Sequence, residues 1–193
     1  IHEICEYYRI DNYTINDDMT IDVNGDVILM DEGLKKIPVN FNKVNGRFDI
    51  ESNKLTTLKG SPKIINGVFD CSSNYLISLK NGPEYVENSY FCNDNFLRSL
   101  KYIPKIINEN FICYNNDINT FDYFPKVFGD IHLYENKIDE LWELFLNKDH
   151  IDHFNELDII QKSGKIVILD RLNYFLADIG KEEITKDYIE NYK

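Results

Sequence analysis

No stretch of the chain stays apolar for the roughly 18 residues that a membrane-crossing helix needs, so the sequence holds no transmembrane helix. The first residues, Ile1 to Asp17, mix Glu3, Glu6 and Arg9 with aromatics and contain no secretory apolar segment, which makes an intracellular protein the expectation. Cationic side chains are the minority. Lys and Arg number 21 against 33 Asp and Glu, a net charge of −12, which disfavours nonspecific binding to nucleic acid, because such binding needs cations to displace counterions. Cysteine is sparse, and Cys5, Cys71, Cys92 and Cys113 show no C-x-x-C spacing of the kind that holds zinc. The phosphate-loop pattern G-x-x-x-x-G-K-[ST], the dinucleotide pattern G-x-G-x-x-G and the nucleophile-elbow pattern G-x-S-x-G are all missing. The expectation is therefore a protein without cofactor or catalytic apparatus.

What the chain has instead is a period. Aligned on Asn53, Asn74, Asn95, Asn116 and Asn136, it repeats about every 21 residues. Three residues before each asparagine stand Ile50, Cys71, Cys92, Cys113 and Leu133, and two before those Phe48, Phe69, Tyr90, Phe111 and Ile131. Two residues after come Leu55, Leu76, Leu97, Ile118 and Ile138, then Leu58, Leu79, Leu100, Phe121 and Leu141. Val44, Ile65, Val86, Ile107 and Val127 lead the units, and a proline closes them at Pro38, Pro62, Pro83, Pro104 and Pro125. A weaker sixth copy, with Val23, Val27, Leu29, Leu34 and Ile37, comes first and has Glu32 where the asparagine would be.

The unit V-x-x-x-F-x-C-x-x-N-x-L-x-x-L resembles the leucine-rich repeat in its core. More narrowly, Phe69-Asp70-Cys71-Ser72-Ser73-Asn74 through Leu79 resembles the short repeat proteins encoded by bacteriophages. The segment from Asp170-Arg171-Leu172-Asn173 to Gly180-Lys181 looks like the helical tails those proteins carry. The resemblance implies an α+β fold, a leucine-rich-repeat-like parallel solenoid of about six coils with a helical C-terminal cap. Residues 1–20 would form an N-terminal cap, 21–141 the solenoid and 142–193 the helical cap.

Each column has a physical role. The alternation Phe69-x-Cys71 has the period of a strand and points both side chains inward. The asparagine turns the chain, and its amide can satisfy backbone groups that the turn leaves unpaired. Gly25, Gly46, Gly67 and Gly129 stand two residues before the inward strand residue, where a positive φ is expected; Asn88 suits that place and Glu109 does not, so the fifth coil should bend differently. At the N-terminus Ile4, Cys5, Tyr7 and Tyr8 are candidates to cover the first coil. Helical spacing takes over after Leu141, predicting helices near 139–147, 149–161, 165–179 and 182–191, with Trp142 at the junction. His150 and His153, with Asp149 and Asp152, read better as a solvated helix start than as a metal site.

If the inward columns are apolar, the alternate positions face out, on what should be the concave side. One outward column is Ile28, Asp49, Asp70, Phe91, Ile112, His132; the next is Met30, Glu51, Ser72, Asn93, Tyr114, Tyr134. The early coils thus present Asp49, Glu51 and Asp70, and the later coils an aromatic and apolar cluster of Phe91, Ile112, Tyr114, His132 and Tyr134. Exposed aromatics grouped in this way suit a protein interface. The sequence reading is a binding module, and the resemblance implies a phage protein that inhibits or redirects a host protein, such as a defence nuclease, in the host cytoplasm. Two other readings remain open: an acidic mimic of nucleic acid that occupies a basic cleft, and a structural virion component.

Overall fold

A computed structural model describes residues 1–119, 122–137, 147–159 and 168–183. The repeat forms a parallel β-solenoid. After a short helix α1 (His2–Tyr7) come β1 (Tyr13–Ile15), β2 (Ile21–Val23), β3 (Val27–Ile28), β4 (Phe41–Val44), β5 (Phe48–Asp49), β6 (Ile64–Ile65), β7 (Phe69–Asp70), β8 (Tyr85–Val86), β9 (Tyr90–Phe91), β10 (Ile106–Ile107), β11 (Phe111–Ile112), β12 (Lys126–Val127) and β13 (Ile131–His132), then helices α2 (Lys148–Glu156) and α3 (Leu169–Asp178). Odd strands from β3 to β13 stack into one six-stranded sheet, spanning five turns, and each pairs one repeat onward, as in Phe48 with Phe69 and Phe69 with Tyr90. The even strands form a second side, on which β1 runs antiparallel to β2 and closes the N-terminal edge.

The inward columns are sealed. Val44, Phe48, Ile50, Phe69, Cys71, Tyr90, Cys92, Phe111 and Cys113 have no exposed surface, and the four cysteines are buried free thiols. Burial pushes the Cys71 and Cys92 thiols well up from their ordinary range, which keeps them protonated and unreactive. The aromatic rings form a continuous file through the stack: Phe41, Phe48, Phe69, Tyr90, Phe111, Phe124, Phe154 and Phe175, with neighbouring centroids 4.9 to 6.4 Å apart. The last two rings belong to α2 and α3, so the helices dock on the end of the core rather than beside it.

The asparagine column ties each coil to its predecessor. The Asn95 amide donates to the carbonyls of Cys71 (3.1 Å) in the coil before and Cys92 (3.3 Å) in its own, while its carbonyl accepts from Leu76 N–H at 2.9 Å. Asn74, Asn116 and Asn136 repeat the arrangement. Asn53 reaches back in the same way to Leu29 and Leu34. The bond always points backward, so the first coil needs no asparagine, and Glu32 in that place is exposed.

Two sequence expectations change. Among Gly25, Gly46, Gly67 and Gly129 only Gly25 has a positive φ. The other three are required by close approach: a Cβ on Gly46 would lie 2.7 Å from the Gly25 carbonyl oxygen, and one on Gly67 2.5 Å from that of Gly46. The left-handed position is the residue before each asparagine, Ser52, Ser73, Asp94, Asn115 and Glu135, with φ of 50 to 57°. Short polar residues tolerate that conformation. Tyr7 does not cover the first coil and is 75% exposed; Cys5 is buried there, and Ile4 and Tyr8 pack against the core. Of the four expected helices, α2 and α3 match the second and third; 139–146 and most of 182–191, with Trp142, fall outside the described residues.

Replacing Asn95 with Ala strands Leu76 N–H in the core and leaves the Cys71 carbonyl with the Asn74 amide alone, and is expected to cost about 1–3 kcal/mol in denaturant unfolding. The reverse case is Tyr90, whose hydroxyl is buried with no hydrogen-bond partner in a column otherwise filled by Phe48, Phe69 and Phe111. Tyr90→Phe should raise stability by about 1 kcal/mol, because it removes a desolvated group that nothing satisfies. A loss of stability on that change would show that the hydroxyl is satisfied in solution.

Candidate functional site

The outer face of the six-stranded sheet is where period-two alternation places every side chain that the core does not use. It divides as the columns predict, but with different exposure. Asp49 and Asp70 are 2% and 4% exposed, and Glu51 is half-buried. The expectation that these acids form an open acidic surface is therefore corrected for Asp49 and Asp70. Arg47, one position back on the same face, lays its guanidinium between them: one terminal nitrogen lies 2.7 Å from Asp49 Oδ2 and 3.0 Å from Asp70 Oδ2. Ser72 adds its hydroxyl to Asp70 Oδ1 at 2.5 Å and its backbone N–H at 3.1 Å, and Glu51 N–H donates to Asp49 Oδ1 at 3.0 Å.

The carboxylate oxygens of Asp49, Glu51 and Asp70 lie within 4.8 Å of one another, the one group of three potential metal-ligating side chains among the described residues. The Arg47 guanidinium already sits among them as the neutralising cation. Burial raises the Asp70 carboxyl above its ordinary range, with the Ser72 hydrogen bonds and Arg47 opposing the shift. Glu51 is raised by burial and by the two neighbouring carboxylates.

Further along the stack, Phe91, Ile112 and His132 share one column and Tyr114 and Tyr134 the next, all half-buried. The two tyrosine rings stack with centroids 4.5 Å apart and planes 7° from parallel, and His132 meets Tyr134 edge-on at 6.3 Å. Burial, with the nearby Asp94 carboxylate and Tyr134, pushes the Tyr114 phenol up. The structure thus gathers the sequence-selected residues into two adjoining groups, an ion-paired acidic one and an aromatic one.

Among the described residues, α2 packs against β12 of the other sheet. Asn155 of α2 donates its amide to the Val127 carbonyl at 2.6 Å and accepts from Val127 N–H at 3.3 Å, which closes the edge of β12 on the other sheet. His153 lies 3.0 Å from Asp178 of α3 and packs on Phe175, a role in joining the two helices.

Sequence reasoning overlooked a second apolar patch, Tyr75, Ile77 and Phe96, which are 51%, 66% and 51% exposed, with the Tyr75 and Phe96 rings 6.2 Å apart. The signal was present: both aromatics directly follow the asparagine in consecutive coils. Among the described residues no helix is long and apolar enough to cross a membrane. Comparison with protein-family models, with curated proteins and with solved structures finds no match to this chain.

The raised Asp70 carboxyl has a consequence for stability. Between the ordinary carboxylate value and the raised folded value, the native state holds a proton that the unfolded chain has lost, so stability falls as pH rises through that window. Asp70→Asn removes the titration, and thermal unfolding across the weakly acid range should show a flatter pH profile than that of the natural chain. An unchanged slope would place the titrating group elsewhere.

Proposed function

We propose that the chain is a non-enzymatic protein-binding module of leucine-rich-repeat type, and that the aromatic half of the six-stranded sheet is its contact surface. The observation that supports this most is the Tyr114–Tyr134 stack. Two rings held parallel on adjacent rungs lose little conformational freedom on binding, and part of each remains accessible. Rigid aromatic anchors of this kind dominate interface energetics. Phe91, Ile112 and His132 extend the same surface along the stack. The repeat pattern favours a phage origin, and with it the binding and inhibition or redirection of a host protein, of which a defence nuclease is one candidate.

Mimicry of nucleic acid has less support, because Asp49 and Asp70 are covered and shared with Arg47 rather than offered to a basic partner. Partner binding should accordingly depend weakly on salt.

The test is a quantitative pull-down from host lysate with the natural chain and with a Tyr114→Ala, Tyr134→Ala double variant, read by mass spectrometry. A protein retained by the first and lost from the second is the expected result. Truncating two interface anchors should weaken the association by about 30-fold or more. Melting temperature should change little, since neither ring belongs to the buried core. Equal retention by both chains would remove this surface from the binding site.

A further inference from the structure

Four asparagines are followed directly by glycine: Asn24, Asn45, Asn66 and Asn81. Asparagine is chemically labile, and a following glycine exposes it most, because a residue without a side chain lets its backbone nitrogen swing onto the amide before it. That nitrogen gives up its proton to water and attacks the asparagine Cγ. A C–N bond forms, the bond to the side-chain nitrogen breaks, and ammonia leaves. Water then opens the cyclic imide at either carbonyl, which yields aspartate or isoaspartate. By sequence alone the four pairs look alike. The fold separates them.

Asn45 and Asn66 are held by the coils on either side. Asn66 Nδ2 donates to Asn45 Oδ1 at 2.9 Å, which ties the two amides together. Gly46 lies against the coil before it, where a Cβ would come within 2.7 Å of the Gly25 carbonyl oxygen, and Gly67 lies in the same way against Gly46. The Gly67 carbonyl accepts in turn from Asn88 N–H at 3.2 Å. Swinging either glycine nitrogen toward the preceding amide has to disturb two coils at once. In the Asn81 pair the nucleophile itself is occupied. Gly82 N–H donates to the Leu79 carbonyl at 3.0 Å, and a Cβ there would lie 2.9 Å from Leu58 Cδ1. Asn24 belongs to the first coil, which has no predecessor. It is exposed, its side chain makes no hydrogen bond among the described residues, and a Cβ at Gly25 would meet nothing within 4 Å. Its backbone is anchored by Asn24 N–H to the Asn12 carbonyl at 2.9 Å, a bond that attack at Cγ leaves in place.

We propose that Asn24 is a site of spontaneous modification, deamidating through Gly25 while the stack protects the other three pairs. The isoaspartyl product places an extra methylene in the main chain between β2 and β3. Two contacts lie just beyond that point: Asp26 Oδ1, which accepts from Arg47 N–H at 2.8 Å, and the Gly25 carbonyl packed on Gly46. Both are displaced, so the first coil loosens from the second there. Later coils keep their own asparagine clamps, which confines the change to the N-terminal end.

The test is to incubate the folded chain at physiological temperature in mildly alkaline buffer and follow each Asn-Gly pair by peptide mapping. Conversion adds the mass difference between an amide and an acid, and electron-based fragmentation tells isoaspartate from aspartate. Asn24 should convert about tenfold faster than Asn45, Asn66 or Asn81, whose reaction waits on a local opening that breaks hydrogen bonds. In concentrated guanidinium chloride the four rates should draw together to within about threefold, because the protecting contacts are gone. Asn24→Ser should abolish the early conversion and leave the other three rates unchanged; the residue is exposed and the variant should fold. In chain converted to isoaspartate, hydrogen exchange should show lost protection at Arg47 N–H and unchanged protection at Leu76 N–H, which the Asn95 carbonyl holds. The proposal fails if another pair converts first in the folded chain, or if the order of rates is the same with and without denaturant. It fails equally if no pair converts in the folded chain while all convert in denaturant. Unchanged exchange at Arg47 would overturn the loosening of the first coil.

Discussion

A coil of about 21 residues has too little interior to satisfy its own turning backbone, and the structure rests on one side chain that solves this between coils. The buried asparagine amide takes carbonyls from two successive coils and gives its oxygen to an N–H of the earlier one. Water cannot reach these groups, so each unmade bond would carry its full desolvation cost. The asparagine is therefore a clamp as well as a turn residue. It fixes the rise between coils and brings the aromatic file to contact distance. Helix α2 ends the other sheet with the same chemistry, where Asn155 gives Val127 both the donor and the acceptor that a seventh coil would have supplied.

The second constraint is how closely coils may approach on the side away from the asparagines. Glycine at Gly46, Gly67 and Gly129 allows backbone to lie against backbone, and the ladder is intact around them. The ladder opens between β8 and β10, in the coils that carry Asn88 and Glu109 in place of glycine, although the six-stranded sheet continues unbroken past the same coils. The solenoid can tolerate a local separation because its two sheets are bonded independently.

Much of this was legible in the sequence. Periodicity gave the inward columns residue by residue, because an apolar side chain recurring every 21 positions has one economical place to go. The prolines, the buried cysteines and the departure at Glu109 followed from the same alignment. The exposure of the outward residues did not. Asp49 and Asp70 alternate correctly with the core and still lie under cover, since whether an outward carboxylate meets water depends on which cation its neighbours can bring to it. Arg47 lies in the coil before Asp70, and that relation exists only once the coils are stacked.

The glycine column shows the same division. Composition and spacing marked it as a place for a positive φ, but the reason for glycine at Gly46, Gly67 and Gly129 is close approach, a distance between coils that no single coil contains. The left-handed turn fell instead on Ser52, Ser73, Asp94, Asn115 and Glu135, whose varied identities hide it from a search for glycine. The sequence by itself determined the register of the repeat, the membership of the core and the face on which each residue stands, because these follow from period and hydrophobicity alone. The tertiary structure decided which outward side chains are shielded, where the second sheet parts and how its last strand is closed. Those are set by contacts between residues about one repeat or more apart, whose geometry exists only when all the coils are in place.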